Sequence, residues 1–361
     1  MTQSSQARSR RGYWMFICIV SNGFWLLYEI DTSQLLPSPS SIQRSIKASH
    51  IWNQNANAIG TVPTSFTIRA NKTFSYYQGG SYLELFHSFV PFNDGYQVVY
   101  NLRSKSEAST TDRGSTFIET VHISSTLERE DETQRRIGKK QQSDPRAFGW
   151  NSSVYCLTWK ANWRGRRGKD RVDSLDFDNS LINLITGEQN SLDHCVGGYR
   201  GKNWIPLVYQ DTLYVVHRLS PKLKWFTYDA QNGCPQPTVE EGTEIDQWRG
   251  GSPFVPLGSN AMISVGHQTI DGDTHIPFMM HVDMTTNITT KIEMSTADKS
   301  NLSGILDPTS LWWEEIGGKK KLYMGTIHTA GRWKNKYFND QYVFNNSIYE
   351  VELVYDTHAL L

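Results

Sequence analysis

Five short stretches of this chain set charged, imidazole or indole side chains directly ahead of apolar, strand-like runs. They are His87, Asp144 with Arg146, Lys202-Asn203-Trp204, Trp248-Arg249-Gly250-Gly251 and Asp307. Gathered in one place, such residues have a definite chemistry. A carboxylate can protonate a leaving glycosidic oxygen or activate a hydroxyl, Arg and Lys can hold phosphate or a sugar diphosphate, and an indole can stack on a sugar face. The competing reading is structural: Asp-Pro and Arg-Gly are also turn formers, in which case Asp144 caps a turn and Arg146 closes a ladder salt bridge.

The elements that must position these residues announce themselves as a repeat. The phrase is a small or polar residue, a proline, a short apolar step, a turn and a strand. It reads Asp144-Pro145-Arg146-Ala147-Phe148, Ile205-Pro206-Leu207-Val208, Ser252-Pro253-Phe254-Val255 and Asp307-Pro308-Thr309-Ser310-Leu311. An upstream copy, His87-Ser88-Phe89-Val90-Pro91, has Ser88 in the proline position. A period of about 50 to 60 residues built from strand, turn and strand is the signature of a propeller, whose units cannot bury their own faces and stack in a ring. The expectation is all-β, a five-bladed β-propeller. Residues at the start of each inner strand then converge on one axial funnel although they lie far apart in sequence. The final stretch Ser347 to Tyr355 alternates as a strand and is expected to pair with an early strand, closing the ring. Turn signals at Asn93-Asp94-Gly95, Gln231-Asn232-Gly233, Gly258-Ser259-Asn260 and Gly317-Gly318 predict hairpins. Residues 104–143 read as an outer hairpin with an exposed loop around Glu128 to Glu132, and the basic run Arg164 to Lys169 reads as a solvated loop.

Acids and bases balance at 36 each, so no global field favours nucleic acid, and a DNA or RNA partner is set aside. Arg8, Arg10 and Arg11 precede an apolar stretch from Tyr13 to Tyr28. This predicts a cytosolic tail over 1–12, a transmembrane signal anchor over 13–30, a Ser/Pro/Asn-rich stem over 31–60 and the propeller over 61–361. The resulting topology is that of a type II membrane protein, with a cleaved signal peptide as the competitor. Asn71, Asn151, Asn287, Asn301 and Asn345 head Asn-x-Ser/Thr acceptors, in keeping with the secretory pathway, the Golgi being the usual home of such an anchor. Of the four cysteines, Cys195 and Cys234 are expected to pair and Cys156 to be a small buried hydrophobe.

Asp144-Pro145-Arg146 with Phe148, Lys202-Asn203-Trp204-Ile205-Pro206 and Arg249-Gly250-Gly251-Ser252-Pro253 ahead of Gly266-His267 together resemble successive blades of the propeller proteins related to mannoside phosphorylases. More distantly they resemble invertase and arabinanase type glycosidases. The resemblance covers about residues 80 to 330. It implies a carbohydrate-active funnel in which Asp144 is the general acid. Arg146, Lys202, Arg249 and His267 are then anion or sugar contacts, and Asn203, Trp204 and Asp307 join them as substrate-binding candidates by their place at the strand heads. Ser143 stands where those phosphorylases commonly carry Glu. The reading is a lumenal enzyme acting on glycans by glycosyl transfer, phosphorolysis or hydrolysis. Its substrate partner is a glycan or glycoconjugate, it requires no cofactor, and nucleotide sugar or inorganic phosphate serves as co-substrate. One rival is a propeller that binds glycans without catalysis. A second is a manganese-dependent transferase using Asp176-Phe177-Asp178, although this pair is assigned to an outer loop. His194, His217, His275 and His281 are read as structural.

Overall fold

The computed structural model describes strands 15–21 and 24–30 and residues 62–74, 82–104, 116–163, 175–196, 201–219, 223–229, 233–234, 248–270, 274–295, 305–330 and 343–355. The chain divides into two compact units, residues 1–48 and 49–361. In the first, β1 (Met15–Ser21) pairs antiparallel with β2 (Phe24–Ile30), Met15 opposite Ile30. These two strands lie within the stretch expected as the signal anchor, 13–30. Among the described residues no helix is long and apolar enough to cross a membrane. The stretch is rich in β-branched and aromatic residues, and Asn22-Gly23 at its middle is the pair that most readily closes a hairpin. The stem at 31–60 lies outside the described residues.

The second unit is all-β and built from antiparallel meanders. The first sheet contains β4 (Tyr82–Phe92), β5 (Gly95–Ser104), β6 (Thr116–Ser124) and β7 (Arg129–Ile137). The second contains β8 (Gln142–Trp150), β9 (Ser153–Trp163), β10 (Leu175–Asn183) and β11 (Gln189–Ser191). The third contains β12 (Ile205–Tyr209), β13 (Thr212–Arg218) and β14 (Lys224–Tyr228). The remaining strands share a nine-stranded sheet. In it β15 (Trp248–Arg249) and β16 (Val255–Pro256) both pair with β17 (Ala261–Ile270). There follow β18 (Thr274–Asp283), β19 (Ile288–Met294), β3 (Ser65–Phe74), β22 (Val343–Val354), β21 (Lys319–Ala330) and β20 (Ile305–Ile316). This sheet curls back on itself, because β18 also bridges β20 at His275 and Ile305. The expected closure is present: β22 runs antiparallel to β3, with Val354 opposite Ser65.

Apolar faces explain why the sheets stack. Val99 and Ile118 of the first sheet share a cluster with Ala147, Cys156 and Ile182 of the second. Phe148, Trp150 and Leu157 then meet Leu213, Val215 and Phe226 of the third. Ile205, Leu207 and Val216 meet Met262, Phe278 and Met280, and Ile263, Val265 and Met279 meet Leu311, Leu322 and Met324. Trp312, Tyr323 and Ile348 finally return to Phe89, Tyr96 and Val98 of the first sheet. Each alternating strand buries side chains on both faces, one set against the preceding meander and one against the next. The leading strands meet as a result: β4 lies against β8 and β20, and β8 against β12 and β20.

Cys195 and Cys234 form the expected disulfide, and Cys156 is a buried free thiol raised by burial. Hairpin turns fall at Asn93, at Gly258 to Asn260 and at Gly317-Gly318, as their sequence predicts. Two local expectations are corrected. Glu130 to Glu132 lie within β7 rather than in a loop, an exposed strand paired through Arg129, Glu130, Arg135, Arg136 and Ile137. Asp176 and Asp178 lie within β10, where Phe177 between them packs edge-on to Trp159 and holds the segment in the sheet. The basic run 164–169 lies outside the described residues.

Candidate active site

The repeated phrase does more than start a strand. In β4 the pairing register shifts between Leu85 and Ser88, in β8 between Ser143 and Arg146, and in β20 between Pro308 and Ser310. Phe86 and Asp144, within two of these bulges, take φ of 57° and 50°. A bulge leaves residues out of the ladder and re-aims their side chains. Three leading strands are therefore kinked, two at the positions that carry His87 and Asp144 and the third at Thr309, two residues after Asp307.

The kinked strands are laced together across sheets. Ser88 Oγ donates to the Thr309 carbonyl at 2.8 Å and accepts from the Ala147 amide at 2.8 Å. Thr309 Oγ1 donates to the His87 carbonyl at 2.5 Å. Ser88 thus stands in for proline because its hydroxyl is needed as a three-strand junction. The Arg-Gly-Gly phrase has a steric reason: a Cβ on Gly250 would sit 2.1 Å from the Asn203 carbonyl oxygen, and one on Gly251 would sit 2.3 Å from that of Val265. Only glycine lets these backbones approach so closely.

Asp144 is held by neighbours from the adjacent strand β9 and from β5 of the first sheet. Its amide donates to Asn101 Oδ1 at 2.9 Å, and its Oδ2 accepts from Trp159 Nε1 at 2.9 Å. Lys202 Nζ lies 5.7 Å from the centre of the same Trp159 ring. Two residues further along the bulge, Arg146 is only 3 % exposed. Among the described residues its one hydrogen bond runs from Nη1 to the neighbouring Pro145 carbonyl, and Nε has no partner there. Burial pushes the guanidinium below its ordinary value, although Asp144 and Asp307 pull the other way.

Beside it, Asp307 Oδ1 lies 2.5 Å from His275 Nδ1 and 3.7 Å from His267 Nδ1, and the two imidazoles stack with centroids 4.6 Å apart. Burial would raise the Asp307 carboxyl, but His267, His275 and Arg146 outweigh it and hold it at about 2. Burial pushes His267 down to about 4, helped by His275, Arg146 and Arg249 and opposed by Asp307. Arg249 stands opposite His267 in the β15–β17 register. The donor atoms of His267, His275 and Asp307 lie within 4.8 Å of one another, a donor set of the metal-ligating kind. The guanidinium charges of Arg146 and Arg249 oppose a cation there and favour an anionic or hydroxyl-rich ligand.

The structure therefore gathers Asp144, Arg146, Arg249, His267 and Asp307 and adds His275, which the sequence placed among the structural histidines. The missed signal was hairpin arithmetic. His267 pairs with Pro277 and Thr269 with His275, so the two rings are diagonal neighbours on one face. Asp-Gly is a common turn signal, and Asp271-Gly272 in the sequence between the two strands is a signal from which that register can be counted. Other expected contacts lie elsewhere. Trp204 is 4 % exposed and packs edge-on to Phe226 at 5.6 Å, which makes it a core residue rather than a sugar platform. Asn203, at φ 64°, contributes the carbonyl beneath Gly250. His87 turns to Glu84 at 3.3 Å and stacks on Tyr100. His217 and His281 are buried, as their structural reading requires. Among the glycosylation acceptors, Asn151 and Asn287 lie exposed at turns, Asn345 is half-buried on β22, and Asn71 is on β3. Asn301 lies outside the described residues.

No protein-family model and no curated protein matches this sequence. Solved structures do resemble it. The catalytic domain of a GH62 α-L-arabinofuranosidase from Coprinopsis cinerea superposes with a TM-score of 0.51 at 8 % identity, covering 80 % of this chain and 98 % of its own. A mannose phosphorylase from Leishmania mexicana, solved with phosphate ion, gives 0.47 at 10 % identity over 88 % of this chain and 94 % of its own. The first of these likenesses is one of fold, the glycosidase-type propeller architecture.

Proposed function

We propose that residues 61–361 form a five-bladed β-propeller that acts on glycans, with the reaction in the funnel where the leading strands meet and Asp144 as general acid. The observation that carries this reading is Arg146. A buried cation with an unpartnered Nε, on the same bulge as Asp144 and within the field of Asp307, costs stability in the free protein. Such a group is placed to pair with an anionic or hydroxyl-rich ligand. In this role Arg146 and Arg249 receive a phosphate, a sugar diphosphate or vicinal hydroxyls, and Asp144 hands its proton to the departing oxygen. The fold shared with an arabinofuranosidase agrees with this assignment.

The chain itself needs no cofactor in this scheme, and a nucleotide sugar or inorganic phosphate enters as co-substrate. The domain faces the lumen of the secretory pathway, in the Golgi, with the apolar stretch 13–30 holding it at the membrane. The support is the basic residues ahead of that stretch, the five acceptors and the Cys195–Cys234 bridge, which persists in oxidising compartments.

The test is glycan-array binding by the purified protein alongside a screen of nucleotide sugars, sugar phosphates and glycans for turnover. Turnover abolished by Asp144→Asn with binding retained supports the enzyme. Binding without turnover supports the second reading, a glycan-binding propeller, which the Trp159–Asp144 hydrogen bond favours by giving that carboxylate a structural task. Loss of turnover on chelation would point instead to manganese at Asp176 and Asp178.

A further inference from the structure

The pair Asp307–His275 has the layout of a proton-transfer dyad. Asp307 Oδ1 takes the Nδ1 hydrogen of His275 at 2.5 Å, which leaves the lone pair of the neutral ring on Nε2. That nitrogen has no hydrogen-bond partner among the described residues and does not belong to the buried unpartnered atoms, so it keeps accessible surface. The His275 side chain is 18 % exposed, whereas His267, stacked behind it, is sealed. One ring of the stack can exchange a proton with a ligand and the other backs it. The groups in the field of the pair are His267 from β17 and Arg146 from β8; Arg249 from β15 acts on His267, and Asp144 from β8 acts on Arg146.

We propose that His275 is a second catalytic residue of the funnel, a general base oriented by Asp307, and that it serves an O–H nucleophile, either water or a sugar hydroxyl, rather than phosphate. The inference rests on the glycan reading above for its substrate, but the dyad stands on geometry alone. A phosphate nucleophile presents an oxygen already free of its proton and needs no base; water and hydroxyls need one. In the step, the nucleophile's oxygen bonds to the anomeric carbon as its proton passes to His275 Nε2. The glycosidic C–O bond breaks, and the leaving oxygen takes the proton of Asp144. The imidazolium then returns its proton through solvent, restoring Asp144. Asp307, kept ionised by its neighbours, stabilises that imidazolium while it lasts.

Two measurements on the full chain test it. The first is diethylpyrocarbonate labelling mapped by mass spectrometry, which needs no substrate. His275 should label at least about tenfold faster than His267 and His217, since only an open, deprotonated ring nitrogen reacts. The second is His275→Gln in whatever turnover the glycan screen finds. It should lower kcat about 10²-fold with little change in KM and remove the acid limb of the pH profile. An unreactive His275 overturns the dyad whatever the substrate. A reactive His275 in a protein that turns over no glycan overturns the glycan reading and leaves the dyad intact. Unchanged kcat in His275→Gln, or strict dependence on inorganic phosphate with a sugar phosphate as product, overturns the assignment of base and nucleophile.

Discussion

Two polar clusters of similar composition lie near the leading strands, and they are resolved differently. In the first sheet, Glu84 is bound by His87 at 3.3 Å and by Arg129 at 2.9 Å. Arg129 also reaches the Tyr100 hydroxyl at 3.0 Å and Gln134 at 2.7 Å. Tyr100 and Gln134 then close on Glu119, which Arg136 covers at 3.2 Å. Burial raises Glu84, yet His87 and Arg129 outweigh it and the carboxyl lies below its ordinary value. In the second cluster, Arg146 donates only to the carbonyl of its own neighbour Pro145 among the described residues, and Arg146 and His267 share the field of one carboxylate. The difference teaches how to tell glue from a site. A network drawn from one sheet can be satisfied by local register and serves folding. A cluster assembled from two sheets, whose cation is not tied to its carboxylates by side-chain hydrogen bonds, is placed to take those bonds from a ligand.

The largest test of this contrast is Asp144→Asn, which should cut turnover about 10²- to 10⁴-fold in a steady-state assay while leaving the denaturation midpoint in place. Next, Glu84→Ala removes one partner of a buried pair and should cost about 3–5 kcal/mol in urea unfolding while sparing any ligand binding that depends on Arg146. If both changes damaged both properties, the two clusters would be one network. A third test uses His217, which burial, with Arg218 and Lys224, pushes down to about 4. A histidine held neutral in the fold gives stability that is complete above its unfolded value near 6.5 and is lost as pH falls toward 4. The protein should lose about 2 kcal/mol between pH 7 and 5 on this account, and chemical denaturation of His217→Phe at the two pH values should show that loss removed. The smallest expected effect is also the sharpest. Arg146→Met should change stability by less than about 1 kcal/mol, or raise it, because it replaces a desolvated cation by a hydrophobe of similar reach. Ligand binding by calorimetry should nevertheless be lost.

Local patterns read well where the code is local. The prolines and small residues of the repeat marked β8, β12 and β20, and the alternating tail marked β22. Cysteines near turns were paired correctly at Cys195 and Cys234. Patterns read poorly where partners decide the outcome. Met15 to Ile30 is apolar enough by composition to read as an anchor, and its β-branched and aromatic residues equally suit the strand pair that forms. Asp176-Phe177-Asp178 looked like a loop because acids flank one aromatic, and Trp159 on the neighbouring strand draws Phe177 into the sheet. Trp204 looked available for a sugar because sequence says nothing about which face Phe226 will cover.

The amino-acid sequence alone determined that this is a β chain of repeated units, where the leading strands begin and which charged residues stand at their heads, because turn chemistry and period are properties of neighbours along the chain. Tertiary structure alone decided that Ser88 joins three strands, that Arg146 is buried with an unmet donor, and that His275 shares Asp307 with His267. Those facts depend on bulges and on stacking between sheets, which set distances between residues up to about two hundred positions apart and leave no trace in any one segment.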